Sequence, residues 1–108
     1  MPETGVPPGT LVMLVLRVLQ GTPMHGYAIA QRIHSITSDV LQVEEGSLYP
    51  ALQRILVKGW AKAEWGTSES GRRVRFYRLT SAGRKQLETE IDDYQRINAA
   101  IRAVLRTA

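Results

Sequence analysis

Between Thr10 and Gln20 the chain is apolar nearly all round a helical projection, with Leu11, Leu14, Val15, Val18 and Leu19 on adjoining faces. A helix patterned this way is covered on two sides or sits at the centre of a core. Thr10 is placed to cap it, and Gly21-Thr22-Pro23 stops it. A second helix is predicted from about His25 to Ile36. Tyr27, Ala30, Ile33 and Ile36 form its inner row, and Gln31, Arg32 and His34 face outward. A polar connection, Thr37-Ser38-Asp39, and a short apolar stretch, Val40 to Val43, lead to a third helix. It starts between Glu45 and Ser47, runs to about Lys58 and ends at Gly59. Leu48, Leu52, Ile55 and Leu56 make its inner face. Pro50 falls in or just after the first turn, where a missing N–H costs least.

After Gly59 the period changes to two. Residues 60–65 and 73–79 read as paired strands, joined by the polar loop Gly66 to Gly71. Thr80 caps a long last helix, on which Leu87, Ile91, Tyr94, Ile97 and Ile101, then Val104 or Leu105, step by three and four. Such a stripe is the mark of a helix that pairs with another helix. The predicted fold is mainly α with a small β-hairpin: a winged helix-turn-helix over residues 10–79, followed by a long C-terminal dimerisation helix over 80–108. Residues 1–9 hold three prolines and two glycines and read as a flexible arm.

A length of 108 residues allows one domain with a small core, so an amphipathic face left over needs a partner chain. The absence of cysteine removes a disulfide framework, a thiolate zinc site and a cysteine nucleophile together; a cytoplasmic location is the expectation. The longest apolar run, Leu11 to Leu16, is cut by Arg17 well short of the ~20 residues a bilayer requires, and no basic leader precedes it. No membrane partner is expected. His25 and His34 have no ligand-spaced companions, so neither metal nor cofactor is expected. The loop Gly66 to Gly71 leads into a strand rather than a helix, unlike a phosphate loop. No acid, base or nucleophile is arranged by spacing, and an enzyme is not expected.

Charge changes the picture more. The net charge is +4, from 14 basic and 10 acidic residues, and residues 58–78 alone hold six cations against two carboxylates. A local basic cluster is the footprint of a polyanion. In a helix-turn-helix the start of the second helix of the motif meets base edges and phosphates in the major groove. Here that start is Glu44-Glu45-Gly46-Ser47-Leu48-Tyr49-Pro50-Ala51-Leu52. Hydroxyls of Ser47 and Tyr49 suit phosphate oxygens, and Gln53 suits adenine. Tyr49 lies about 100° round the helix from Leu48, which puts it at the DNA surface rather than in the core.

Gly46-Ser47-Leu48-Tyr49-Pro50-Ala51-Leu52 resembles the hallmark of the PadR family of bacterial transcriptional regulators. His25-Gly26-Tyr27, Gly59-Trp60, Trp65-Gly66, Gly71-Arg72-Arg73, Tyr77-Arg78-Leu79-Thr80 and Gly83 follow the same pattern, in order, over almost the whole chain. The length resembles the short branch, with a single C-terminal helix. The resemblance implies a homodimeric repressor on a palindromic double-stranded operator near its own gene or a transporter or detoxification operon. Ser47, Tyr49 and Pro50 match the head of the reading helix; Gln53, Arg54 and Lys58 follow on it. Arg72, Arg73 and Arg75 match the basic wing. Leu87, Ile91, Tyr94, Ile97, Ile101 and Leu105 form the dimer seam. Some members of the branch bind a flat hydrophobic effector at the dimer centre, and the matching positions are Val12, Leu16, Leu87, Tyr94 and Asn98. The family usually has tryptophan where Tyr94 stands, and Leu87 and Tyr94 fit a filled interface equally well. His25-Gly26-Tyr27 reads as structural, with Gly26 allowing close helix approach and Tyr27 filling the core. The alternative is a winged-helix module for protein–protein contact, which needs no basic wing.

Overall fold

Helix α1 (Pro8–Gly21) is the centre of the molecule, and Leu11, Val12, Val15, Leu16 and Leu19 are all buried on it. A computed structural model describes residues 4–107. Helices α2 (Gly26–Ile36), α3 (Glu45–Val57) and α4 (Ser81–Leu105) pack round α1. The two long strands, β4 (Ala61–Thr67) and β5 (Arg73–Leu79), pair antiparallel from Ala61↔Leu79 to Thr67↔Arg73. These elements are the predicted winged helix-turn-helix with a long trailing helix.

The sequence pattern misses three short strands. Residues Met24–His25, β2, join the edge of β5 opposite Tyr77 and Phe76, making the sheet three-stranded. Thr4–Gly5, β1, pairs in parallel with Leu41–Gln42, β3, and Val6 is buried beside them. Residues 4–9 are therefore tied down where a flexible arm was expected; residues 1–3 of that arm, and Ala108, lie outside the described residues. Two-residue strands carry no alternation, so only their partners reveal them. Thr10 is not the cap of α1. The helix begins at Pro8, and the Pro7 carbonyl accepts from both Thr10 N–H and Leu11 N–H at 3.0 Å. Proline at the first helical position forgoes an N–H that would be unpaired anyway.

On α2 the buried row is Gly26, Ile29, Ala30 and Ile33. Tyr27, expected in the core, is 70% exposed, and Ile36 is exposed as well. A row of threes drifts about 60° per step against a period of 3.6, so its ends leave the buried face. His34, expected outward, is half-buried: its Nε2 accepts from Val43 N–H at 2.8 Å and ties the end of α2 to the chain entering α3. Thr37 strengthens the same connection, its Oγ1 donating to Ile33 O at 2.9 Å and accepting from Leu41 N–H at 3.1 Å. Ser38 and Asp39 turn there through φ of 50° and 64°. That left-handed conformation costs a non-glycine residue on the order of 1 kcal/mol.

The junction that carries α4 is closely fitted. Gly59, at φ 75°, ends α3, and Trp60 N–H returns to Ile55 O at 3.0 Å. Thr80 Oγ1 donates to Gly59 O at 2.7 Å and accepts from Gly83 N–H at 3.0 Å, which makes it the predicted cap. A methyl group on Gly83 would lie 2.0 Å from the Trp60 carbonyl oxygen. Only a residue without Cβ lets α4 start this close to the strand.

Candidate nucleic-acid interface

Helix α3 buries Leu48, Ala51, Leu52 and Ile55. Pro50, Gln53 and Val57 stand roughly opposite that row, with Ser47, Tyr49 and Arg54 at its flanks, and all six are exposed. Lys58 is exposed at the C-cap. Tyr49 is 53% exposed, and its ring edge reaches the backbone at Gly26, where a Cβ would sit 3.7 Å away. That spacing is ordinary contact, so α2 and α3 touch at Gly26 with room for a methyl group.

The N-cap, Glu44, makes no side-chain cap bond, and Glu45 fills the first turn. Both carboxylates favour the positive end of the helix dipole but oppose a phosphate there. The positive end of α3 is therefore partly neutralised, and the cluster of exposed cations lies elsewhere. Pro50 lies inside the helix and cannot donate to the carbonyl four residues earlier, Gly46 O. Both residues are exposed.

Those cations stand on the hairpin. Arg72, Arg73 and Arg75 are all exposed. Arg72 and Arg73 also border a groove of about 810 Å³ between the hairpin and the start of α2, with Arg32 on its far side. The sequence assigns no interface role to the aromatic residues of the hairpin. Phe76 lies edge-on to His25 at 5.6 Å and covers Gly66, where any Cβ would come within 2.8 Å of its ring. Trp65, 61% exposed, lies under the guanidinium groups of Arg73 and Arg75 at 5.0 and 6.0 Å. Strand alternation signals that shared face, but only the register identifies its members.

Helix α4 divides into two parts. Leu87, expected in a dimer seam, is 1% exposed and belongs to the core of its own chain; Ile91 packs against the same core. Tyr94, Ile97, Ile101, Val104 and Leu105 are exposed and uncovered. Sequence spacing cannot mark where one stripe passes from the internal core to open surface. The expected effector residues separate in the same way. Val12 and Leu16 are buried in the core with Leu87, because α1 is covered on two sides. Tyr94 and Asn98 instead line a recess of about 440 Å³ against Gly9, Thr10 and Met13 of α1. Among the described residues no three of His, Asp and Glu come together as a metal site, and no helix is long and apolar enough to cross a membrane.

Several known proteins are similar to this chain. A protein from Lysinibacillus sphaericus is 29% identical over 93 residues, covering 86% of this chain and 85% of that one. A protein carried in a transposon of Streptomyces fradiae is 37% identical over 89 residues, 82% of this chain; the match spans only 24% of that longer protein. The crystal structure of a PadR family transcriptional regulator from Eggerthella lenta superposes with a TM-score of 0.77 at 30% identity, covering 93% of this chain and 85% of the other. The model of the transcriptional regulator PadR-like family matches residues 15–89, from the centre of α1 through α3 and the hairpin into α4. With the winged helix-turn-helix and the exposed face of α3, that match makes the chain a member of the PadR-like family of transcriptional regulators.

Proposed function

We propose that the protein is a homodimeric repressor that binds a palindromic duplex operator near its own gene in the cytoplasm, and that a small hydrophobic effector releases it. The observation that carries this reading is the division of labour among exposed side chains. Helix α3 presents Ser47, Tyr49, Pro50, Gln53 and Arg54 beside two carboxylates, while the hairpin presents Arg72, Arg73 and Arg75. Hydrogen-bonding and apolar groups on a helix read base edges, and guanidinium groups on a wing neutralise phosphates. Val57 adds an apolar contact suited to a thymine methyl group. Dimerisation rests on Tyr94, Ile97, Ile101 and Leu105, an apolar stripe that this small chain leaves in water. A two-fold pair would offer two reading helices to a two-fold operator. The recess beside Tyr94 and Asn98 has the size of a small-molecule site and borders that stripe, so an occupant there would act on the dimer geometry.

The test is the salt dependence of duplex binding. Arg72→Ala with Arg73→Ala should weaken binding to operator and mixed-sequence duplex alike. The slope of log K against log salt should fall by roughly two, one released counterion per lost phosphate contact. An unchanged slope would show that these arginines do not face DNA.

A further inference from the structure

The two faces of the hairpin differ in how their charges are committed. Side chains alternate along a strand, so the register puts Lys62, Glu64, Phe76 and Arg78 on one face and Trp65, Arg73, Arg75 and Tyr77 on the other. On the first face Arg78 Nη2 donates to Glu64 Oε1 at 2.8 Å, and the two charges offset each other. The second face carries no carboxylate on either strand. Its root is buried, with Ala61, Tyr77 and Leu79 in the core, and its tip stands clear of the core.

On that tip, cations and rings alternate. Arg73 lies 5.0 Å from the Trp65 ring centroid, and Arg75 lies 6.0 Å from Trp65 and 5.8 Å from Tyr77. Trp65 fills no part of the core, so its indole ring is not there for packing. A guanidinium stacked on a ring keeps its five N–H donors, which lie in its own plane, free for another partner. Stacking also restricts a long side chain before a ligand arrives, which lowers the ordering cost of binding.

We propose that this face of the hairpin is the one that meets duplex DNA, with Trp65 as the positioning residue that holds Arg73 and Arg75 ready for phosphates. The inference rests on the DNA-binding reading above and adds the face and the indole to it.

The full-length protein and a labelled mixed-sequence duplex at low salt are sufficient for a test, because phosphate contacts need no operator. Trp65→Ala should raise Kd about three- to tenfold while leaving the melting temperature nearly unchanged. Trp65→Phe should recover most of the loss. In an Arg73→Ala, Arg75→Ala background, Trp65→Ala should cost nothing further, because the indole acts only through those side chains. Arg78→Gln, on the opposite face, should bind as the wild type does. The tryptophan emission that Trp65→Phe removes should change when duplex is added, and this readout decides the matter if Trp65→Ala fails to fold. Wild-type affinity in Trp65→Ala, or a full additional loss in the arginine-free background, would overturn the proposal while leaving DNA binding intact. Failure of the wild type to bind this duplex at all would overturn the DNA reading and this proposal with it.

Discussion

Tyr49 is where residue-scale reasoning and function meet. Its neighbours Leu48 and Leu52 fill the buried face of α3, and the ring is left at the surface beside the start of α2. Tyr49→Phe should keep the fold and lose one phosphate hydrogen bond, about 0.5–1.5 kcal/mol or up to about tenfold in operator affinity. Tyr49→Ala should lower the melting temperature only modestly, since the residue is 53% exposed. A large fall in melting temperature with unchanged Tyr49→Phe affinity would return this residue to the core. Gly83 makes the opposite prediction. Its missing Cβ accommodates the Trp60 carbonyl, so Gly83→Ala must push α4 away from the strand. Overpacking of this kind costs about 1–3 kcal/mol and should lower the melting temperature by roughly 5–15 °C, read by thermal denaturation. Gly83 was legible as part of a family pattern, but its reason was not, because a carbonyl 23 positions earlier in the chain leaves no mark near it.

At the scale of elements, α4 does two jobs along one stripe. Its first half closes the core through Leu87, and its second half leaves Tyr94, Ile97 and Ile101 in water. A dimer-breaking variant therefore belongs in the second half. Ile97→Asp with Ile101→Asp should give a folded monomer by light scattering, with its melting transition retained and its operator binding poor. A wild-type monomer at micromolar concentration would refute the dimer. The long elements were all legible, because 11 to 25 residues of helical period, or seven of alternation, outweigh local accidents. The phase of α2 was not. Tyr27 and Ile36 satisfy a row of threes as well as Ile29 and Ile33 satisfy the buried face, and Gly26 carries no side chain to show that it belongs inside. The pairs β1 with β3 and β2 with β5 were illegible for a different reason: a two-residue strand exists only through its partner.

The whole molecule is long for its mass, 57 × 33 × 22 Å, because α4 alone spans about 37 Å. A chain of this shape has a core too small to cover its last helix, and a second copy is the simplest cover. Two-fold pairing along α4 would fix the distance between two α3 helices. That distance must match half-sites one helical turn apart, about 34–36 Å, or a multiple of it. Dimerisation and sequence reading are thus one claim, and the stoichiometry of the complex tests both. The direct measurement is the mass of the complex with duplex DNA from upstream of its own gene, by analytical ultracentrifugation. Dimeric binding requires two chains per inverted repeat, and one chain at most for the Ile97→Asp, Ile101→Asp variant. A wild-type complex with a single chain per repeat, or no complex at all, would contradict it.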